Sequence, residues 1–171
     1  MRKVLYILSR LTDTDVEWLA AVGQRRQVSA GTVLIEEGAE STALIFVLDG
    51  EVSVSTAAVG HVTQLGVGEI LGEISFVDKS PTSATVTATV TSQILAVDRA
   101  LMMARLAEDP GFAARFYQAV AMFLAVRLRA TTRRLGGAAP EPYDDLNLEM
   151  LDTVHVAGAH FDRLIKRLLG V

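Results

Sequence analysis

The chain contains no cysteine. That excludes disulfides, thiolate metal sites and cysteine nucleophiles, and it agrees with a cytoplasmic protein, which is the location expected. Long hydrophobic runs are also missing. The longest, Ala119 to Val126, falls well short of the ~20 apolar residues that a spanning helix needs. The N-terminal MRKVLYILSR has a basic start but only a short apolar run and no small-residue cleavage site, so it reads as native structure rather than as a signal peptide. An excess of positive charge is absent. The formal net charge is −4, which argues against a general grip on nucleic acid. Histidine is scarce. His155 and His160 are five apart, off the i, i+4 spacing of one helix face, and His61 stands alone in a strand. No acid–histidine cluster matches metal-ligand spacing, and no Ser–His–acid order points to nucleophilic catalysis. Neither a metal nor an enzymatic activity is expected.

Half of the 171 residues are hydrophobic, enough for one domain with a sizeable core, or one domain with an appendage. Residues 2–24 read as helical. Thr12 or Thr14 can cap a helix carrying Val16, Trp18, Leu19 and Val22, with acids early in it and Gly23 as its stop. From Val28 the period shortens. Thr32–Ile35 is strand-like. Ala43–Leu48 and Glu51–Ser55 flank Asp49-Gly50, a pair that signals a two-residue hairpin turn. His61–Leu65, Thr85–Val90 and Ile94–Val97 add further short strands. Many short strands with frequent turn signals imply an antiparallel barrel or jelly roll.

After Val97 the pattern becomes helical. Asp98 can cap a helix to about Leu106, and a long helix runs from about Gly111 to Leu135. It carries two apolar stripes: Phe116, Val120, Phe123 and Ala130, and then Tyr117, Ala121, Leu124, Leu128 and Leu135. One stripe can face the barrel. The second wants a partner, and the simplest partner is the same helix in a second copy, which makes a homodimer through residues 111–135 the expected assembly. The arginines of this helix, Arg115 among them, read as a solvated face. Gly136-Gly137 and the prolines at 140 and 142 mark a linker, and Leu151, Val154, Ala157, Phe161, Leu164 and Leu168 outline one more amphipathic helix. Two units are expected: 1–135, and 136–171.

The densest local signal is Leu65 to Val86. Gly66, Gly68 and Gly72 fall close together, Glu73 follows directly, and Pro81 precedes the small polar run Thr82-Ser83-Ala84-Thr85. Glycines let backbone approach a ligand closely, and a helical turn opening after Gly72 would aim free N–H groups at an anion. A phosphate-holding loop in a β-rich domain is the reading from these residues alone.

Taken together, Gly31-Thr-Val-Leu-Ile-Glu-Glu-Gly38, Leu44-Ile-Phe-Val-Leu-Asp-Gly50-Glu-Val-Ser-Val54, Leu65-Gly-Val-Gly68, Gly72-Glu73-Ile-Ser-Phe76 and Ser83-Ala84-Thr85-Val86 resemble a cyclic-nucleotide-binding domain. The likeness covers roughly residues 12–135. It is similar to the sensor half of the catabolite activator protein family, whose dimerisation helix the run Leu124–Leu135 resembles. The resemblance implies a mainly β fold with flanking helices: an antiparallel β-roll (a double-stranded jelly-roll barrel), N-terminal helices, a long dimer-type helix and one further helix. It implies a cyclic nucleotide, cyclic AMP or cyclic GMP, as ligand. Gly72, Glu73, Ile74 and Ser75 then form the turn facing the phosphate, with Glu73 on the ribose 2′-hydroxyl. Ser83 belongs to the small polar run beside the phosphate, and Thr131 and Thr132 lie where the family offers hydroxyls to the base.

The sequence departs from the family in two places. Thr82 stands where the family's arginine pairs with the phosphate. Charge-assisted bonds contribute about 1.5–3 kcal/mol each, so losing a bidentate pair weakens binding by roughly two orders of magnitude or more. Lys79, Arg127 or Arg129 are candidates to substitute. The residues after Leu135 also supply no second pair of helices joined by a tight turn, so direct DNA binding is not expected. Two functions follow: a stand-alone regulatory sensor of a cyclic nucleotide or related phosphorylated ligand that signals to a protein partner through its C-terminal helices, or a ligand-independent dimerisation and interaction scaffold.

Overall fold

The computed structural model describes residues 10–135 and Lys166. The expected linker, the expected amphipathic helix of 151–168, His155, His160 and residues 1–9 of the chain lie outside the described residues, apart from Lys166, which is helical and exposed.

Helix α1 (Asp13–Val22) opens on a reciprocal cap. The Thr12 hydroxyl accepts from the Asp15 amide at 3.3 Å, and the Asp15 carboxylate accepts from the Thr12 amide at 2.8 Å. Two of the donors that every helix start leaves unpaired are thereby satisfied. Eight strands follow: β1 (Gln24–Val28), β2 (Val33–Ile35), β3 (Ala43–Asp49), β4 (Glu51–Thr56), β5 (Gly60–Gly66), β6 (Ile70–Leu71), β7 (Thr85–Ala88) and β8 (Ser92–Asp98). Between β6 and β7 lies the short helix α2 (Glu73–Asp78), and after β8 come α3 (Arg99–Glu108) and α4 (Pro110–Leu135). All pairings are antiparallel, in two four-stranded sheets of order β1-β8-β3-β6 and β2-β7-β4-β5. This is the expected β-roll with flanking helices.

The unbroken apolar run of β3 reflects burial on both faces. Leu44, Phe46 and Leu48 join Leu95 and Val97 beneath the helices, packed with Val16, Leu19, Phe112, Phe116, Val120 and Phe123. Ile45 and Val47 point the other way, into the roll, against Val52, Val54, Leu65, Val86 and Ile94. The period of two along a strand sorts one sequence into two cores.

Asp49-Gly50 is not a hairpin. β3 and β4 belong to different sheets, so the pair turns the chain from one layer to the other. Of the two residues only Gly50 has positive φ, at 93°, whereas the two-residue hairpin turn expected there needs it at both. A Cβ on Gly50 would lie 2.7 Å from the Cα of Ser92, so glycine is required where the corner crosses β8. The Ser92 hydroxyl accepts from the Glu51 amide at 3.2 Å and anchors the corner. β1 begins at Gln24, earlier than the period change at Val28 indicated. It is an edge strand with four of its five residues exposed, so no apolar alternation marks it.

The stripe of α4 carrying Phe116, Val120 and Phe123 is buried, together with Phe112 and Ala119. The other stripe is open: Tyr117 is 41% and Leu128 68% exposed, with Ala121 exposed and Leu124 half-buried. The side chains of Ala130 and Leu135 are outside the described residues. Arg115 is not part of a solvated face. Its guanidinium meets the Asp15 carboxylate with two bonds, Nε–Oδ2 at 2.8 Å and Nη2–Oδ1 at 3.0 Å, and so ties α4 to the start of α1. Arg105 lies over the rings of Trp18 and Phe112, at 5.7 and 5.5 Å. No helix among the described residues is long and apolar enough to cross a membrane.

Candidate functional site

The glycine-rich stretch builds one wall of a pocket in the mouth of the roll. Gly72 adopts the left-handed conformation at φ 85° and starts α2 without a side-chain cap. A Cβ there would lie 3.1 Å from both the Ala43 carbonyl oxygen and the Ser41 hydroxyl, so only glycine lets β6 turn into α2 against that wall. Glu73 and Ser75 then point inward and are buried, while Ile74 is exposed at the rim. The Ser75 carbonyl accepts from the Lys79 amide at 3.1 Å and from Arg99 Nη1 at 3.0 Å, which fixes the far end of α2 to the start of α3. The Arg99 guanidinium sits 5.4 Å from the Phe76 ring centre, and Phe76 packs edge-on to Phe116 of α4 at 5.6 Å.

The pocket is about 60 Å³, room for a few waters, whereas ligand pockets begin near ~300 Å³. Gly72, Glu73, Ile74, Ser75, Thr82 and Ser83 all line it, so the structure brings together six of the residues singled out from the sequence. The remaining walls are apolar, from the inward faces of β4, β5 and β7, from β6 and from Ile35 of β2. These the sequence reading passed over. The alternation along Glu51–Ser55 and Thr85–Ala88 was the signal that could have found them. Ser83 is exposed at the mouth.

Thr82 is buried, at 6% exposure, and its hydroxyl is engaged away from the pocket. It donates to the Glu36 carbonyl, lies 3.1 Å from the Ala39 carbonyl and accepts from the Ala39 amide at 3.1 Å. Its backbone closes the same turn, with Gly38 N–H to the Thr82 carbonyl at 2.7 Å and Thr82 N–H to the Ala39 carbonyl at 2.9 Å. Thr82, which the resemblance sets in the arginine position, thus staples the β2–β3 loop to the β7 side of the roll.

Thr132 does not line the pocket, and its hydroxyl donates to the Leu128 carbonyl one turn back at 3.0 Å. The side chains of Thr131 and Arg127 lie outside the described residues. Lys79 and Arg129 are exposed, and neither lines the pocket. Among the described residues the only charged one lining it is Glu73. His61 pairs its Nδ1 with the Ser53 hydroxyl at 2.9 Å on the exposed side of the β4–β5 hairpin.

Residues 25–109 match the family described as the cyclic nucleotide-binding domain. A protein of Rhodopseudomonas palustris named as a potassium channel protein is 31% identical over 116 residues, 67% of this chain but 28% of its own length. The chain thus spans under a third of that relative. The crystal structure of a cyclic nucleotide-binding domain from Methylobacillus flagellatus superimposes with a TM-score of 0.69 at 24% identity, over 81% of this chain and 84% of that one. The N-terminal domain of a transcriptional regulator from Streptomyces coelicolor superimposes with a TM-score of 0.60 at 26% identity, over 84% of this chain and 99% of that one. The β-roll, the glycine-started helix and these matches agree, and through residues 25–109 the chain belongs to the cyclic nucleotide-binding domain family.

Proposed function

We propose that this protein is a non-catalytic regulatory module of the cytoplasm. Its roll pocket holds a cyclic nucleotide or a related phosphorylated ligand, and its long helix passes the bound state to a protein partner. The observation that carries this reading is the convergence of Gly72, Glu73, Ile74, Ser75, Thr82 and Ser83 on one pocket, beside a mechanical link from that pocket to α4. In this reading Glu73, buried in the pocket wall, takes a ribose hydroxyl. Movement of α2 to admit a ligand displaces Phe76, and with it the ring contact to Phe116 and the Arg99 bond to Ser75. Ligand affinity for one arrangement over the other then biases α3 and α4. Calorimetry with cyclic AMP and cyclic GMP is expected to give saturable heat at millimolar ligand. No heat and no thermal shift would remove the sensor reading.

Dimerisation belongs to the same proposal. Tyr117, Ala121, Leu124 and Leu128 leave a continuous apolar stripe on α4 that a second copy of the helix covers. Light scattering at tens of micromolar is expected to give a dimer mass, and Leu128→Asp a monomer. A wild-type monomer refutes the pairing.

A second reading rests on Thr82. Its hydroxyl is committed to the 36–39 turn, and no lysine or arginine lines the pocket among the described residues. The fold then serves as a ligand-independent interaction scaffold, with α4 as its contact surface.

A further inference from the structure

A second cavity, larger than the ligand pocket, opens between β2 and β3. It holds about 320 Å³, within the range of small-molecule sites. β2 and β3 belong to different sheets, so no ladder closes this flank of the roll. Ile35, Ala43 and Ile45 give it an apolar wall, Ser41 a hydroxyl, and Glu36 and Glu40 the only charged groups among the described residues. Among the described residues no lysine, arginine or histidine lines it.

The loop that shapes it is already held in place. Thr82 bonds the turn through its hydroxyl and its backbone, Ala39 N–H reaches the Glu36 carbonyl at 3.3 Å, and the Ser41 hydroxyl donates to the Ala43 carbonyl at 3.2 Å. A site that needs no ordering on binding loses less affinity to entropy. Its chemistry selects by sign and by shape. Two carboxylates without a cation disfavour any anion, phosphate included. A bare metal ion leaves most of the space empty and meets an apolar wall. A cationic head on a short aliphatic body satisfies both halves: the methylenes lie on Ile35, Ala43 and Ile45, and the head reaches the hydrated rim of Glu36 and Glu40.

We propose that this cavity is a second small-molecule site, for an aliphatic diamine or a guanidinium-bearing amine. It shares Ile35 and Thr82 with the ligand pocket, and Gly72 packs directly on Ser41 and Ala43, so the two sites have a common wall. The proposal stands independently of what the first pocket binds, because its test contains no nucleotide.

The test is calorimetric titration of the full chain with putrescine and with agmatine, beside 1,4-butanediol and succinate as neutral and anionic matches in length. Saturable binding of the two amines is expected, with none for the diol or the dicarboxylate. The double variant Glu36→Gln/Glu40→Gln, exposed at both positions and so folded, is expected to bind about tenfold more weakly. Val33→Trp, which fills the cavity from a half-exposed position, is expected to abolish binding. Absence of saturable amine binding at millimolar concentration overturns the proposal. So does equal binding of the diol, or unchanged amine affinity in both variants.

Discussion

Replacing Thr82 with arginine is expected to raise the affinity for cyclic AMP by about two orders of magnitude. Thr82 lines the pocket and, on the family resemblance, stands where an arginine pairs with the phosphate, and Glu73 is the only charged residue lining that pocket among the described residues. A guanidinium there supplies a bidentate, charge-assisted pair to the cyclic phosphate, each bond contributing about 1.5–3 kcal/mol. The substitution also has a structural cost. It deletes the hydroxyl that joins the Glu36 carbonyl, the Ala39 carbonyl and the Ala39 amide, while the backbone bonds to Gly38 and Ala39 remain. Roughly 1–2 kcal/mol of stability goes with it. Calorimetry and thermal melting on the one variant separate the two effects. Gain of affinity where the wild type binds weakly means that the pocket is open and lacks only its cation. An arginine variant that binds no more tightly than wild type contradicts the expectation and favours the scaffold reading.

Asp15→Ala is expected to destabilise the protein by about 3 kcal/mol, a loss of roughly 6–12 °C in melting temperature. Asp15 is 1% exposed and serves two elements at once. It accepts from the Thr12 amide to start α1, and from two nitrogens of Arg115 to hold α4. Removing it opens the cap and strands half-buried Arg115 without its carboxylate, which costs more than an exposed ion pair contributes. The estimate takes the low end of the range for broken buried pairs because a third of the Arg115 side chain still reaches water. The pH dependence follows from the same contacts. Burial pushes the Asp15 carboxyl up, but the Arg115 hydrogen bonds, the Thr12 amide and hydroxyl and the Arg115 charge outweigh it, so the group titrates below the usual carboxylate range. Stability from this group is therefore complete above pH ~4, where the unfolded carboxyl is also ionised, and is lost as pH falls toward the lower folded value. Chemical denaturation between neutral pH and pH 3 is expected to show a shallower acid loss in Asp15→Asn than in wild type. Parallel curves would mean that the pair adds nothing to the acid limb.

Much of the fold was legible along the chain. Thr12, Gly23 and Asp98 mark helix ends by local chemistry, through capping oxygens and a helix-stopping glycine. Glycine spacing carried the family resemblance, because a backbone that must turn left-handed or pass close to another strand leaves its mark on the residue itself, as at Gly50 and Gly72. The β3–β4 corner was misread for a related reason. A glycine after an aspartate announces a turn, but whether the next strand pairs with the previous one or crosses to the other sheet depends on β8, more than forty residues downstream in sequence and paired along β3. Arg115 was misread because its partner, Asp15, is 100 residues away.

The sequence by itself determined the local parts: short strands of a barrel or jelly roll, capped helices, and a glycine-started turn beside a small polar run. These are local properties, written in φ preferences, capping oxygens and periods of two and 3.6, and the place of Thr82 in the phosphate site came from the family resemblance of those parts taken together. Only the tertiary structure decided what that threonine does. The Thr82 hydroxyl could face a ligand or the chain, and the choice rests on the Glu36 and Ala39 carbonyls that the roll brings to it from the β2–β3 loop. A buried hydroxyl takes the partners that folding places within its reach, and no spacing along the chain records which those are.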